Sequence, residues 1–229
     1  MIHRWQLLTF LHWSFEPSVV QRLLPAGLTV DAFDERAWVG LVPFRMWVAP
    51  PGLPALPWLG RFCETNVRTY VRDRHGRAGV WFFSLEASRL PAVLAARTGY
   101  RLPYYWASMR LDVSSERRVY TTRRKWPSPT GTAAGGVVVI RPGSPIAPQQ
   151  VTALEHFLTA RWRLFSQAKD GALRYADAEH PPWQLQRVHV DQCDDTLVTT
   201  VGLPRPVGDP LAHYSRGVQV RISIPRRVA

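Results

Sequence analysis

The stretch ETNVRTYV at residues 64–71 alternates between two kinds of side chain. Every second residue is β-branched, and the residues between them are Glu64, Asn66, Arg68 and Tyr70. A period of two is that of a β-strand, and β-branched residues favour packed sheets. The stretch therefore predicts a strand with these four side chains, which we call the Glu64 row, on one face.

The alternation leaves two orientations open for the Glu64 row. Facing water, such a row is ordinary, whereas inside the protein an acid, an amide and a guanidinium need partners. The next predicted strand, 79–87, follows a hairpin turn at 73–76. Its alternate residues Phe82, Ser84 and Glu86 form a second, partly polar row. Two such rows side by side could line one wall of a pocket, although the alternation by itself favours the water-facing orientation.

Strands separated by turns account for most of the remaining sequence. They are predicted at 6–13, 37–48, 104–113, 119–124, 137–141, 184–191, 197–201 and 218–224. Gly40 and Pro43 indicate a bulge or an edge within 37–48. The proline-rich residues 50–57, PPGLPALP, predict a rigid loop that could act as a flap.

Few helices are predicted: 18–24, 91–98 and, most strongly, 148–167. In the last, one apolar stripe recurs at helical spacing, formed by Val151, Leu154, Leu158, Trp162 and Phe165. The pattern as a whole is typical of a mainly β protein of the α+β class. We expect an antiparallel β-barrel or sheet core with a few peripheral helices, in one domain spanning residues 1–229.

Composition limits the class of protein. Hydrophobic residues make up 46% of the 229 residues and ten are Trp, enough for a sizeable core. No apolar run approaches the roughly 18 residues that span a bilayer, and residues 1–5 lack signal-peptide features. We therefore expect a cytoplasmic protein with no membrane partner. The isolated Cys63 and Cys193 indicate buried thiols rather than a disulfide.

The formal charge of +12 raises the question of nucleic acid. All but two of the 29 basic residues are Arg, a skew typical of GC-rich codon usage, and they are spread along the chain. The densest cluster, 117–125, is compatible with a solvated hairpin. We do not expect a nucleic-acid partner, although this cluster keeps that alternative open.

Several common chemistries lack their motifs. The sequence contains no GxGxxG, GxxxxGK[ST], GxSxG or HExxH pattern. We therefore expect no cofactor and no metal site. Two further clusters carry polar groups: residues 101–107, where Tyr104 and Tyr105 point to opposite faces of a strand, and a predicted loop with His213. That histidine is either a proton carrier or a hydrogen-bonded structural residue.

A family resemblance rests on motifs distributed along nearly the whole chain, at residues 8–13, 23–25, 37–46, 66–71, 82–85, 102–104 and 213–215. In number and order they resemble the YqjF-like family of uncharacterised bacterial proteins, a branch of the acetoacetate-decarboxylase-like fold. The resemblance implies a β-barrel-centred architecture with a closed, largely apolar cavity. In this fold the strand corresponding to residues 64–71 borders the cavity, so the resemblance implies that the Glu64 row faces inward. In the decarboxylases two successive lysines follow the Phe-Pro motif, and the first forms a Schiff base. If the motifs align, Tyr104 and Tyr105 occupy those positions here, and a phenol cannot form an imine.

We therefore expect a cavity for a small organic carboxylate or carbonyl ligand, with acid–base rather than Schiff-base chemistry if it is an enzyme. A non-catalytic sensor or accessory binding protein is the alternative, and a homo-oligomer is left open. The candidate catalytic residues are Glu64, Arg68 and Tyr104. The candidate ligand-binding residues are Asn66, Arg45, Ser84, Tyr105, His12 and His213.

Overall fold

The computed structural model describes residues 1–49, 60–127 and 134–228. The predicted flap at 50–57 lies outside these residues. The strands in the described chain are β1 Ile2–Phe15, β2 Leu28–Val30, β3 Ala37–Ala49, β4 Arg61–Asp73, β5 Ala78–Ala87, β6 Tyr104–Val113, β7 Arg118–Trp126, β8 Gly135–Pro145, β9 Arg163–Gln167, β10 Leu173–Glu179, β11 Leu185–Asp195, β12 Leu211–Ile222 and β13 Arg226–Arg227. The helices are α1 Pro17–Gln21, α2 Leu90–Gly99, α3 Ala153–Thr159 and α4 Leu197–Thr200, with a 3-10 turn at Pro148–Gln150. The mainly β prediction is confirmed.

All the strands belong to one hydrogen-bonded sheet that closes partly into a ring. The strand order runs β13-β10-β9-β5-β6-β7-β8-β11-β12-β1-β3-β4-β2. Strand β4 also pairs with β5, and this pairing closes the strands from β5 to β4 into a first partial ring. A further pairing of β10 with β12 closes a second partial ring, which contains β9 and β10. The two partial rings share β12, β1, β3, β4 and β5. Most pairs are antiparallel, but β5 pairs in parallel with β6 and β9.

The shared strand β4 is buried on both faces along residues 64–71 because each face belongs to a different ring. On β4, Glu64, Asn66, Arg68 and Tyr70 are buried on one side and Val67 on the other. Two separate apolar clusters pack against these faces. The polar–apolar alternation of residues 64–71 therefore marks two interior environments and no water-facing side.

Residue Pro43 lies where the ladder between β1 and β3 is interrupted. Pairing stops at Gln6 and Arg45 and resumes at Leu11 and Leu41, and Leu7 adopts a positive φ of 55° inside the bulge. Because proline has no N–H to donate, its position opposite a bulge leaves no ladder hydrogen bond unmade. The predicted irregularity is confirmed, although β3 lies between two partners and is not an edge strand.

The predicted helix at 148–167 is wrong beyond Thr159. A capping box formed by Thr152 and Glu155 starts α3 as helix chemistry predicts, but the chain then leaves the helix at Ala160 and becomes β9. Strand β9 pairs with β5 and β10, and Phe165 packs so closely on Gly79 that a Cβ there would lie 2.7 Å from its ring. Sheet pairing has overridden the local helical period.

Two further predictions fail for related reasons. Residues 197–201, predicted as a strand from their β-branched content, form α4, and the carboxylate of Asp195 accepts a hydrogen bond from the Val198 amide at 3.0 Å. Residues 213–215 are not a loop but the middle of β12, where His213 pairs with Phe10 of β1. In both places long-range pairing and capping outweigh local composition.

Candidate functional site

A cavity of about 350 Å³ lies between β1, β3, β4 and β5 and is closed on one side by α2. Its lining is mainly apolar, with side chains such as Leu8, Phe44 and Phe82. The residues that bring polar side-chain atoms to the lining are His3, Trp5, Glu64, Asn66, Arg68, Tyr100 and Tyr104. The Glu64 row thus contributes three side chains to one wall of this cavity.

The carboxyl of Glu64 is fully buried and accepts a hydrogen bond from the Tyr104 hydroxyl to Oε2 at 2.8 Å. Burial raises the pKa of Glu64 to about 8; the bond from Tyr104 opposes this rise, and the negative charge of Glu86 adds to it. Burial and Glu64 together raise the pKa of Tyr104 well above its ordinary value. At neutral pH both groups keep their protons, and Glu64 is a neutral acid whose own proton is left for a further acceptor.

The guanidinium of Arg68 is a buried cation with few partners. Its Nη2 donates to the carbonyl of Leu158 at a long 3.4 Å, and its Cζ lies 5.6 Å and 5.9 Å from the ring centroids of Phe10 and Tyr70. Its Nε has no hydrogen-bond partner among the described residues, where no carboxylate pairs with it either. Residues 50–59 and 128–133 contain no Asp or Glu side chain. The positive charge at this wall is therefore uncompensated by acidic side chains.

The amide of Asn66 lies between the acid and the cation. Residues two apart on one strand face are about 6.6 Å apart, so Asn66 separates Glu64 from Arg68 along β4. Its Oδ1 is buried and has no hydrogen-bond partner in the described part of the chain. Acid, amide and guanidinium thus form a row of three incompletely satisfied groups on the cavity wall.

Behind Arg68, Tyr70 and His12 form a hydrogen-bonded cluster in which only His12 Nδ1 is buried without a partner among the described residues. Tyr70 Oη donates to the carbonyl of Leu158 at 2.6 Å, so His12 Nε2, 2.7 Å from the same hydroxyl, must be the donor in that second bond. Burial, then the charges of Arg68 and His213, lower the pKa of His12 well below its ordinary value. His12 therefore contributes a neutral ring to this cluster and does not itself line the cavity. Gly40 makes room for it, since a Cβ there would lie 3.0 Å from the His12 ring.

Four other candidate residues lie away from the cavity lining. His213 Nε2 is 2.7 Å from Glu155 Oε1 and so connects β12 to the start of α3. Ser84 donates to Glu86 Oε2 at 3.2 Å on the opposite face of the sheet. Tyr105 stacks under the guanidinium of Arg124, with 3.7 Å between Cζ and the ring centroid, and Arg45 lines a second pocket.

A register shift explains why Phe82 of the predicted second row lines the cavity while Ser84 and Glu86 do not. Asn66 pairs with Leu85, but Arg68 pairs with Phe82, because the β4–β5 ladder shifts between Val67 and Arg68. Directly paired residues share a face, so Leu85 and Phe82 face the cavity while Ser84 does not. Sequence reasoning named Phe82 correctly as a neighbour of the Glu64 row. It missed the structural role of Tyr70 and the part played by Leu158, whose contribution is a backbone carbonyl with no sequence signal.

Similarity to known proteins assigns this chain to a family. The model of the DUF2071 family, described as an uncharacterized conserved protein, matches residues 3–219. The chain belongs to the DUF2071 family. The uncharacterized protein YqjF of Bacillus subtilis (strain 168) is 33% identical over 217 residues, covering 94% of this chain and 87% of YqjF. The family resemblance drawn from the motifs is confirmed.

Solved structures similar to this DUF2071 chain have an acetoacetate-decarboxylase-like fold. The acetoacetate decarboxylase of Legionella pneumophila matches with a TM-score of 0.66 and 14% identity, over 100% of this chain and 88% of that protein. The enduracididine biosynthesis enzyme MppR, in a complex with pyruvate, matches with a TM-score of 0.68 and 12% identity, over 100% and 90%. At such identities the likeness shows the fold alone.

The two lysines of this DUF2071 chain lie outside the cavity. Lys125 lines the second pocket, and Lys169 is exposed in the turn between β9 and β10. Tyr104, which the resemblance aligns with a decarboxylase lysine, faces the cavity, while Tyr105 faces away. The residues that the structure describes contain no group of three or more His, Cys, Asp or Glu arranged to hold a metal ion. Within that same part of the chain, no helix is long and apolar enough to cross a membrane.

Proposed function

We propose that the cavity binds a small organic ligand with an apolar body and a negatively charged oxygen, such as a carboxylate or the enolate of a carbonyl compound. The observation that carries this proposal is the uncompensated guanidinium of Arg68 on the wall of a mainly apolar cavity. A buried cation without a carboxylate partner is costly, and an anionic ligand with two oxygens matches the fork of a guanidinium. Beside it, the unused acceptor Asn66 Oδ1 is available for a donor group of the ligand, such as a hydroxyl.

The pair Glu64–Tyr104 supplies a proton donor to the same ligand. Because burial holds the pKa of Glu64 at about 8, its carboxyl can donate a hydrogen bond to a carbonyl oxygen at neutral pH. Tyr104 donates to Glu64 and thereby orients the acid, which makes it a positioning residue. Above about pH 8 the acid becomes a carboxylate and repels an anionic ligand, so we expect binding to weaken there.

Pyruvate is the first probe for this site. It is a short carboxylate with an adjacent carbonyl group, and the structurally similar MppR has been captured with it. The experiment is an isothermal titration of the intact protein with pyruvate, followed by longer 2-keto and 3-keto acids with more apolar carbon. We expect at least one member of this series to bind with one site per chain.

Three variants test the assignment of the site. Arg68→Met should weaken binding by about tenfold or more, and Glu64→Gln should remove the loss of affinity above pH 8. Arg110→Gln, at an exposed residue of β6 paired with Asp112, changes the net charge equally and should bind as the wild type does. Equal binding by the Arg68 variant, or no binding of any acid in the series, would overturn the proposal.

Catalysis and simple binding differ in what happens to the bound acid. A site that places a neutral acid near a carbonyl group can promote enolisation, in which the acid protonates the carbonyl oxygen and a water molecule takes a proton from the adjacent carbon. Reversal of this step in D₂O delivers deuterium to that carbon. Incubation of the bound keto acid in D₂O, followed by NMR, measures this exchange. Exchange lost in Glu64→Gln indicates an enzyme. Ligand recovered without deuterium beyond that of a protein-free control indicates the sensor or accessory binding protein.

A further inference from the structure

A second pocket, of about 470 Å³, opens on the other face of β3 and β4. Arg45 and Cys63 are directly paired there, and along β4 Cys63 alternates with Phe62 and Glu64 of the cavity wall. The lining also includes residues of β6 and Lys125 of β7. We call it the basic pocket, after the cations that line it: Arg45, Arg61, Arg89 and Lys125.

The described lining of the basic pocket contains no Asp or Glu, and the undescribed segments 50–59 and 128–133 contain none either. Burial, and then the like charge of Arg61, lower the pKa of Arg45. Arg45 Nε is moreover buried without a hydrogen-bond partner in the described chain. The cations Arg45, Arg61 and Lys125 around one concave site, with this unused buried donor on Arg45, indicate a place for negative charge.

The size and shape of the basic pocket favour a small molecule. Its volume falls within the range of about 300–1,000 Å³ that is usual for small-molecule sites. Hydroxyl groups of Ser88 and Ser108 lie in the lining, and the ring of Trp106 forms an aromatic wall with Lys125 Nζ 4.9 Å from its centroid. A mainly polar lining with several fixed cations suits an anion of more than one charge, in contrast to the apolar cavity behind β4.

We propose that the basic pocket is a second ligand site, for a small polyanion that carries a phosphate group or several carboxylates. Arg45, held partly buried by its strand, is the residue that fixes the anion, because its guanidinium offers N–H donors in a planar fork. Arg61 and Lys125, which are exposed, add attraction at the rim. This site is independent of the proposed function of the cavity.

The first test is a titration of the intact protein with pyrophosphate and, separately, with citrate. We expect one of them to bind with one site per chain, and whichever binds distinguishes phosphate from carboxylate recognition. Arg45→Met and Arg61→Gln should each weaken binding by about tenfold, with circular dichroism to confirm folding. Arg110→Gln removes one exposed positive charge outside the pocket and should leave binding within about twofold of the wild type.

The second test uses Cys63 as a reporter. In a Cys193→Ser background, Cys63 is the remaining thiol. It is labelled with iodoacetamide, which is an uncharged reagent. A bound polyanion should slow this labelling by about tenfold at saturation, whereas pyruvate should leave the rate unchanged. Arg68→Met, which removes the cation of the cavity, should keep the protection by the polyanion.

Three outcomes would overturn the proposal. The first is that neither pyrophosphate nor citrate binds at low salt. The second is that Arg110→Gln weakens binding as much as Arg61→Gln does, which would indicate attraction to the net charge alone. The third is binding without protection of Cys63, which would place the anion elsewhere on the protein.

Discussion

The charged groups on the two faces of β4 differ in whether they have partners of opposite charge. On the face that belongs to the ring with β6 and β7, residues neighbouring β4 form a closed set: Arg124 Nε donates to Glu86 Oε1 at 3.1 Å, its Nη2 donates to the same oxygen, and Ser84 donates to Oε2. On the cavity face Glu64 holds one hydrogen bond and Arg68 has no carboxylate partner among the described residues. The same strand therefore separates a compensated ion pair from an uncompensated acid and cation.

This difference distinguishes charged residues that support the fold from charged residues that serve a function. A paired buried charge contributes to stability only as long as its partner remains, since either half alone is costly. An unpaired buried charge beside a cavity costs free energy in the empty protein, and such groups cluster at functional sites. Removal of one charge from each face in turn tests whether the two faces differ in this way.

The largest effect is expected for Arg124→Met, which leaves the buried Glu86 without its cation. We expect the free energy of unfolding to fall by roughly 3–5 kcal/mol at neutral pH, measured by urea denaturation. The loss should shrink at acid pH, because the pKa of Glu86, already raised by burial to about 7, rises further without Arg124 and the carboxyl becomes neutral.

The double variant Glu86→Gln with Arg124→Met is the control for that prediction. It removes both charges, so most of the lost stability should return. If the double variant is no more stable than Arg124→Met alone, the effect arises from lost packing on Tyr105 and the charge comparison fails.

The second effect is a dependence of stability on pH that comes from Glu64. Its carboxyl loses a proton near pH 4.5 in the unfolded chain but only near pH 8 in the folded protein. Between these values the folded state binds more protons, so the free energy of unfolding falls as pH rises, by up to about 1.4 kcal/mol per pH unit. Glu86, with its pKa raised to about 7, adds the same trend over a narrower window.

Glu64→Gln should make this slope shallower while keeping an oxygen for Tyr104 to donate to. Denaturation midpoints measured from about pH 5 to pH 8 test the prediction. A variant with the wild-type slope would mean that Glu64 titrates normally and is not held neutral by burial.

Much of the sheet could be predicted because its strands carry strong local signals. Strand β6 begins and ends where the sequence predicts, and the hairpin at 73–76 forms around Gly76, whose φ is 74°. Strand β9 could not be predicted, because its position depends on pairing with β5 and on the room that Gly79 leaves for Phe165. Such contacts join residues about 85 positions apart and leave no local pattern.

The sequence predicts which residues of β4 line the candidate site, but not which residues of the neighbouring strand β5 do. Period-two alternation places Glu64, Asn66 and Arg68 on one face whatever the fold, and the family resemblance added Tyr104. For β5 the strand is predicted, but the residues that face the cavity are not. One shift of the ladder, between Val67 and Arg68, changes which residues of β5 face the cavity. A shift of this kind has no signature in sequence.

A third, smaller effect concerns Tyr70, the satisfied member of the Glu64 row. Replacement by Phe leaves the Leu158 carbonyl and the His12 ring without their shared hydroxyl. We expect a loss of about 1–3 kcal/mol in the free energy of unfolding, measured in urea. Tyr100→Phe is the matched control, since that hydroxyl makes a single 3.3 Å bond to Ser223 O and lies partly exposed. Equal losses in both variants would contradict a special role for Tyr70.

The smallest change in stability is expected for Arg68→Met, although this variant should abolish most ligand affinity. No ion pair is broken within the described residues, the hydrogen bond to the Leu158 carbonyl is long, and methionine refills part of the space beside Phe10. The free energy of unfolding should therefore stay within about 1 kcal/mol of the wild type, or rise, because the cost of burying a cation disappears. A loss comparable with that of Arg124→Met would show that Arg68 supports the fold, and the contrast between the two faces of β4 would no longer indicate a ligand.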